Sequence, residues 1–166
     1  MNLPIKSIAE LWITLPLYDF NLDEVRLDML LKYAFSPNLE VLVLGNINFN
    51  QQRKFGQALK AQIEKMEQNS ILKEIWLLNC WVCWEDYPTK FNKGNKNLCL
   101  AFPGCGLSKV DDVVEIAKQL KDWDLTLNLS MNSLCENSIK KLHQEYRAHL
   151  KNIKALYLSN NKVSES

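Results

Sequence analysis

Six times along the chain the same short pattern returns: an apolar residue, a second three positions on, a third two after that, then a small or amide residue, then another apolar one. The clearest copies are Ile153-Leu156-Leu158-Asn161-Val163 and Leu72-Ile75-Leu77-Cys80-Val82. Weaker copies read Leu39-Leu42-Leu44-Ile47-Phe49, Leu100-Phe102-Cys105-Leu107, Leu127-Leu129-Asn132-Leu134 and Trp12-Leu15-Leu17-Phe20-Leu22. The second positions, Leu15, Leu42, Ile75, Leu100, Leu127 and Leu156, are spaced by 27, 33, 25, 27 and 29 residues. A period in that range restricts the chain to architectures in which one small unit stacks on the next, because no single unit can bury its own apolar face.

Within each unit the alternating apolar positions suit a short strand with one buried face: Ile75 and Leu77 point inward and Trp76 points out. The segments between carry helical stripes: Leu27, Leu30 and Leu31; Phe55, Leu59, Ile63 and Met66; Val110, Val113, Val114, Ile116 and Leu120; and Ile139, Leu142, Tyr146 and Leu150. Ser108 with Asp111, and Asn137, are the expected N-terminal caps of the last two helices. One unit departs from this plan. From Cys83 to Asn95, Pro88 and Gly94 discourage a regular helix, and Trp84, Tyr87 and Phe91 are the side chains available to cover the core there.

The expected fold is therefore α/β: a right-handed solenoid with about six parallel strands on its concave face and helices on its convex face. The expected organisation is a single domain over 1–166. Residues 1–11 form a cap, with Ser7 and Glu10 at capping-box spacing, and units follow near 12–38, 39–68, 69–96, 97–123, 124–152 and 153–166. The strands are expected near the six second positions, with no helix longer than one turn between Trp84 and Lys96.

The formal net charge is +1, so no global field draws the chain to nucleic acid or to an anionic membrane. No stretch reaches the roughly 18 unbroken apolar residues needed to span a bilayer. Glu10, Pro16 and Asp19 interrupt the N-terminal region, which does not read as a cleaved signal. The five cysteines, Cys80, Cys83, Cys99, Cys105 and Cys135, are an odd number without a signal, which favours free thiols and a cytoplasmic location. Cys80 and Cys83 form a CxxC pair without the second pair of ligands that zinc needs, and His143 and His149 lie off the helical spacing of a metal pair. No metal or cofactor is expected, and no phosphate-cradling glycine loop occurs.

The outward strand positions carry the functional expectation. They read Thr14, Pro16 and Tyr18; Val41, Val43 and Gly45; Glu74, Trp76 and Leu78; Cys99, Ala101 and Pro103; Thr126, Asn128 and Ser130; Ala155, Tyr157 and Ser159. A face that meets only water would show charges and hydroxyls, whereas the first four units show mostly apolar and aromatic groups. The expected partner-binding residues are Tyr18, Val43, Trp76, Leu78 and Tyr157, with Trp81, Glu85 and Asp86 on the rim, the two carboxylates orienting a basic partner. The alternatives are that Trp76 packs on Val43 and Ala101 and merely caps the sheet, and that Glu85 and Asp86 are a solvated turn.

The unit length, the Leu-x-x-Leu-x-Leu spacing and the recurring ladder position (occupied by Phe20, Ile47, Cys80, Cys105, Asn132 and Asn161) resemble the ribonuclease-inhibitor-like class of leucine-rich repeat proteins, from about Trp12 onward. The resemblance implies that Asn or Cys at the ladder position hydrogen-bonds the backbone of the turn leaving each strand. It also implies a non-catalytic protein-recognition role as a monomer. Small proteins of this class occur among effectors that intracellular bacteria inject into host cells, which the Asn- and Lys-rich composition fits, and that would place this chain in the host cytosol. Other members bind small GTPases, so a host small GTPase or its regulator is the implied partner. Activation of GTP hydrolysis is the alternative. So is the substrate-recognition part of a ubiquitin ligase, whose catalytic domain this chain is expected to lack.

Overall fold

Period-two alternation decides the strands, and the computed structural model places them accordingly. It describes residues 9–14, 38–65, 71–91 and 96–162. Six five-residue strands form: β1 (Glu10–Thr14), β2 (Val41–Gly45), β3 (Glu74–Leu78), β4 (Asn97–Ala101), β5 (Asp124–Asn128) and β6 (Ile153–Tyr157). They make one all-parallel sheet in the order β1-β2-β3-β4-β5-β6, each strand beside its neighbours in the chain. The register aligns Leu11, Leu42, Ile75, Leu100, Leu127 and Leu156. The β3–β4 seam is the shortest, with only Glu74–Cys99, Ile75–Leu100 and Trp76–Ala101 paired, and the β5–β6 register shifts between Leu125 and Thr126.

The first strand corrects the expectation. The register position of β1 lies four residues before the predicted Leu15, so Leu11 and Ile13, not Leu15 and Leu17, are the partners of Leu42 and Leu44. Glu10 is therefore a strand residue and not the end of a capping box. Trp12, read as the residue leading into the strand, stands on its outward side opposite Val43. Tyr18 and Phe20 fall outside the described residues, as do the Leu27 stripe and Met66.

Among the described residues three α-helices join the strands: α1 (Arg53–Lys65), α2 (Asp111–Gln119) and α3 (Glu136–Ala148). Phe55, Leu59 and Ile63 of α1, and Val113, Val114, Ile116 and Ala117 of α2, with Leu142 of α3, join the inward strand residues in a single apolar core. The outward residues Val43, Trp76 and Ala101 take no part in that cluster. The expected caps are not used. Val110 and Cys135 occupy the N-cap positions with no side-chain capping bond, and Ser108 instead accepts, through its carbonyl, a 2.8 Å bond from the Ser138 hydroxyl.

Among the described residues between β3 and β4 the only helical element is a three-residue 3-10 turn, Trp84–Asp86. Pro88 blocks a continuing helix, and rings cover the core in its place. Trp84 and Tyr87 both pack edge-on against Phe102, at 5.1 and 5.4 Å between centroids, and Phe91 meets Trp123 at 6.0 Å. Aromatic rings each bury as much area as a helical turn of smaller side chains, so a few of them close a gap that a helix would otherwise cover.

Candidate functional site

Each strand must turn away from the sheet without leaving buried backbone groups unpaired, and in four of the described units one side chain meets that need. Asn132 is buried; its amide nitrogen donates to the carbonyls of Phe102 (2.8 Å), Leu129 (3.0 Å) and Ser130 (3.0 Å), and its oxygen accepts from Leu107 N (3.0 Å). Asn161 donates to Leu129 O (2.9 Å) and Leu158 O (2.8 Å) and accepts from Leu134 N (3.1 Å). Cys105 donates to Leu77 O at 3.0 Å. The Cys80 sulfur accepts from Ile47 N at 3.4 Å and faces the carbonyls of Leu44 and Leu78. Ile47, at the same position, is simply packed in the core.

The residue just before each ladder position takes a left-handed backbone: Asn46, Asn79, Gly104, Met131 and Asn160, with φ of 59, 52, 70, 58 and 56°. Asn and Gly tolerate that region; Met does not. This device was legible as a run of Asn and Gly before the ladder residue, and only Met131 hides it. The N–H groups of Asn46, Asn79, Gly104 and Met131 donate to Leu78, Pro103, Ser130 and Ser159, carrying the parallel ladder through the turns.

On the outward face the register lines up Trp12, Val43, Trp76, Ala101, Asn128 and Tyr157 in one row. The row is uneven. Trp12 is 64% exposed and Tyr157 55%, whereas Val43 is 2% exposed and Ala101 fully covered. Val43 was expected to touch a partner; its two neighbours in the row are tryptophans, and it lies beneath the surface as their floor. Trp76 is half-buried and donates its ring N–H to the Glu74 carboxylate at 2.8 Å, so it is tied down along its own strand. Leu78 is half-buried. The surface offered by this face is thus Trp12, part of Trp76, and Tyr157. Trp12 and Glu10 were missed because the first unit was read four residues late.

The rim differs from expectation in its charge. Trp81 projects into solvent at 62% exposure. Glu85 and Asp86, expected to attract a basic partner, are already engaged by Arg53 of α1, at 2.5 Å and 3.3 Å, and Lys60 donates to the Glu85 carbonyl. Against the burial that would raise it, the Cys83 thiol, which donates to Asp86 at 3.3 Å, and then the Arg53 guanidinium hold the Asp86 carboxyl below its ordinary range. Arg53 lies 32 residues from Glu85, and no local pattern reveals the pairing.

All five thiols are free. Burial raises Cys80 to about 11 and Cys105 to about 12, and burial with the Glu74 carboxylate raises Cys99 to about 11. Thiols held so far up are poor nucleophiles at neutral pH. Cys135 is exposed and shifted downward, chiefly by the Ser138 hydroxyl. Among the described residues no group of three or more His, Cys, Asp or Glu side chains is placed to hold a metal ion. No helix among them is long and apolar enough to cross a membrane. His143 lines a 290 Å³ apolar groove between α3 and β6, with Ile139, Leu142, Tyr146, Leu156 and Leu158.

Comparison with protein families, characterised proteins and solved structures finds no match.

Proposed function

We propose that this chain is a leucine-rich repeat solenoid of the ribonuclease-inhibitor-like class that grips another protein with the outward, concave face of its sheet. Sequential parallel strands at unit spacing, joined by an Asn/Cys ladder, support the solenoid. The observation that carries the recognition reading is the outward row: a sheet face free of core packing that presents Trp12 and Tyr157 to solvent. Large aromatics left exposed in one row are the raw material of binding hot spots. The family resemblance makes a host small GTPase or its regulator the first partner to test, with a bacterial effector acting in the host cytosol as the biological setting.

The test separates binding from folding. Trp12→Ala is expected to leave the melting temperature within about 2 °C, because the side chain is mostly exposed, yet to weaken a captured partner about thirtyfold. Leu77→Ala, inward in the core, is expected to destabilise by about 2–5 kcal/mol. Trp76 is a less clean probe than Trp12, since its removal uncovers Ala101 as well as Val43 and breaks the bond to Glu74. A partner bound equally by wild type, Trp12→Ala and Tyr157→Ala would overturn the reading. If the partner is a small GTPase, its nucleotide hydrolysis with and without this protein distinguishes sequestration from activation.

A further inference from the structure

We infer that the binding face selects a basic protein segment, and that Arg side chains are received on the platform made by Trp12 and Trp76 between Glu10 and Glu74. The inference rests on the recognition reading above and adds the chemistry of the partner.

Charge on this face is one-sided. The chain carries 20 Lys and Arg against 19 Asp and Glu. Yet at the outward positions of β1 to β5 the only charged residues are Glu10, Glu74 and Asp124, all acidic. Lys154 neutralises Asp124 at 3.3 Å, and the neighbouring Lys73 is held by Glu40 at 2.7 Å. Glu10 and Glu74 carry no ion pair among the described residues. The rim carboxylates, by contrast, have their cation in Arg53. The acidic charge still available to a partner therefore lies beside the tryptophans and not beside Trp84.

The register makes a compact frame of these groups. Glu10, Val41 and Glu74 form one row and Trp12, Val43 and Trp76 the next, so the two carboxylates and two indoles stand at its corners. Adjacent strands lie about 4.8 Å apart, which sets the two tryptophans roughly 10 Å apart on the sheet. A guanidinium set between these two backbones comes near the roughly 6 Å range over which an indole face attracts a cation. Val43, 2% exposed, closes the floor to water. The Trp76 N–H bonded to Glu74 fixes both the ring and the carboxylate before any partner arrives. Guanidinium is the better fit than ammonium, since it stacks flat on a ring while its edge N–H groups reach carboxylates.

Hexa-arginine, hexa-lysine and hexa-glutamate peptides titrated into the intact protein, followed by calorimetry at low and at 0.5 M salt (on the order of a 4 Å Debye length), test this. Hexa-arginine is expected to bind more tightly than hexa-lysine, and hexa-glutamate not at all. Trp12→Ala is expected to weaken hexa-arginine about fivefold. Glu10→Gln with Glu74→Gln is expected to weaken it by a similar factor and to flatten its salt dependence, while the exposed Asp122→Asn is without effect. Equal hexa-arginine binding by the double Gln variant and wild type would overturn the proposal, as would no binding. If hexa-arginine fails while Trp12→Ala still abolishes capture of the protein partner, recognition by this face stands and its basic selectivity falls. If Trp12→Ala affects neither, both fall.

Discussion

The turn leaving β5 and the turn leaving β3 follow the same backbone path but are held by different chemistry. At the first, Asn132 spends two N–H groups and a carbonyl on four backbone partners; at the second, Cys80 supplies one weak donor and one weak acceptor to three. The comparison teaches that the ladder position is defined by backbone need and not by residue type. Asn meets that need with strong, directional bonds. Cys meets it loosely but adds a small apolar volume to the core.

Breaking the stronger side should have the largest effect. Asn132→Ala would strand buried carbonyls and the Leu107 N–H, and a loss of about 3 kcal/mol is expected in denaturant unfolding. Asn132→Cys, which installs the β3 solution at β5, should recover part of that loss. No recovery would mean that the two turns are not interchangeable. Cys105→Ala should cost about 1–2 kcal/mol, from one bond to Leu77 O and a small cavity. A cost equal to that of Asn132→Ala would erase the asymmetry. The smallest effect has the opposite sign. Met131→Gly relieves the one left-handed residue of the described turns that is neither Asn nor Gly, and should raise stability by up to about 1 kcal/mol. An unchanged melting temperature would show that the Met side chain compensates for its strained backbone.

Five of the six strands were legible because alternation fixes which face is buried and a ladder residue fixes where the strand stops. The first unit had only the former. Leu11, Ile13, Leu15 and Leu17 alternate without interruption, so a shift of four residues preserves the pattern, and no Cys or Asn follows at ladder spacing to choose between registers. The aromatic plug from Trp84 to Phe91 was readable because Pro88 forbids the alternative. The state of the site was less so. Burial of Val43 depends on two tryptophans supplied by strands 31 and 33 residues away, and neutralisation of Glu85 on a helix in another unit. Such facts live in the register and not in any local window.

The short β3–β4 seam has a consequence for how the molecule comes apart. Because every strand is bonded only to its neighbours in the chain, order passes from one end to the other strictly through successive seams. At this seam three residue pairs join the strands, where β1–β2, β2–β3 and β4–β5 have five, and among the described residues no α-helix lies in the connection beside it. Opening there separates β1–β3 from β4–β6 without breaking any other strand pairing. Amide exchange would then sort into two blocks, each fraying on its own timescale.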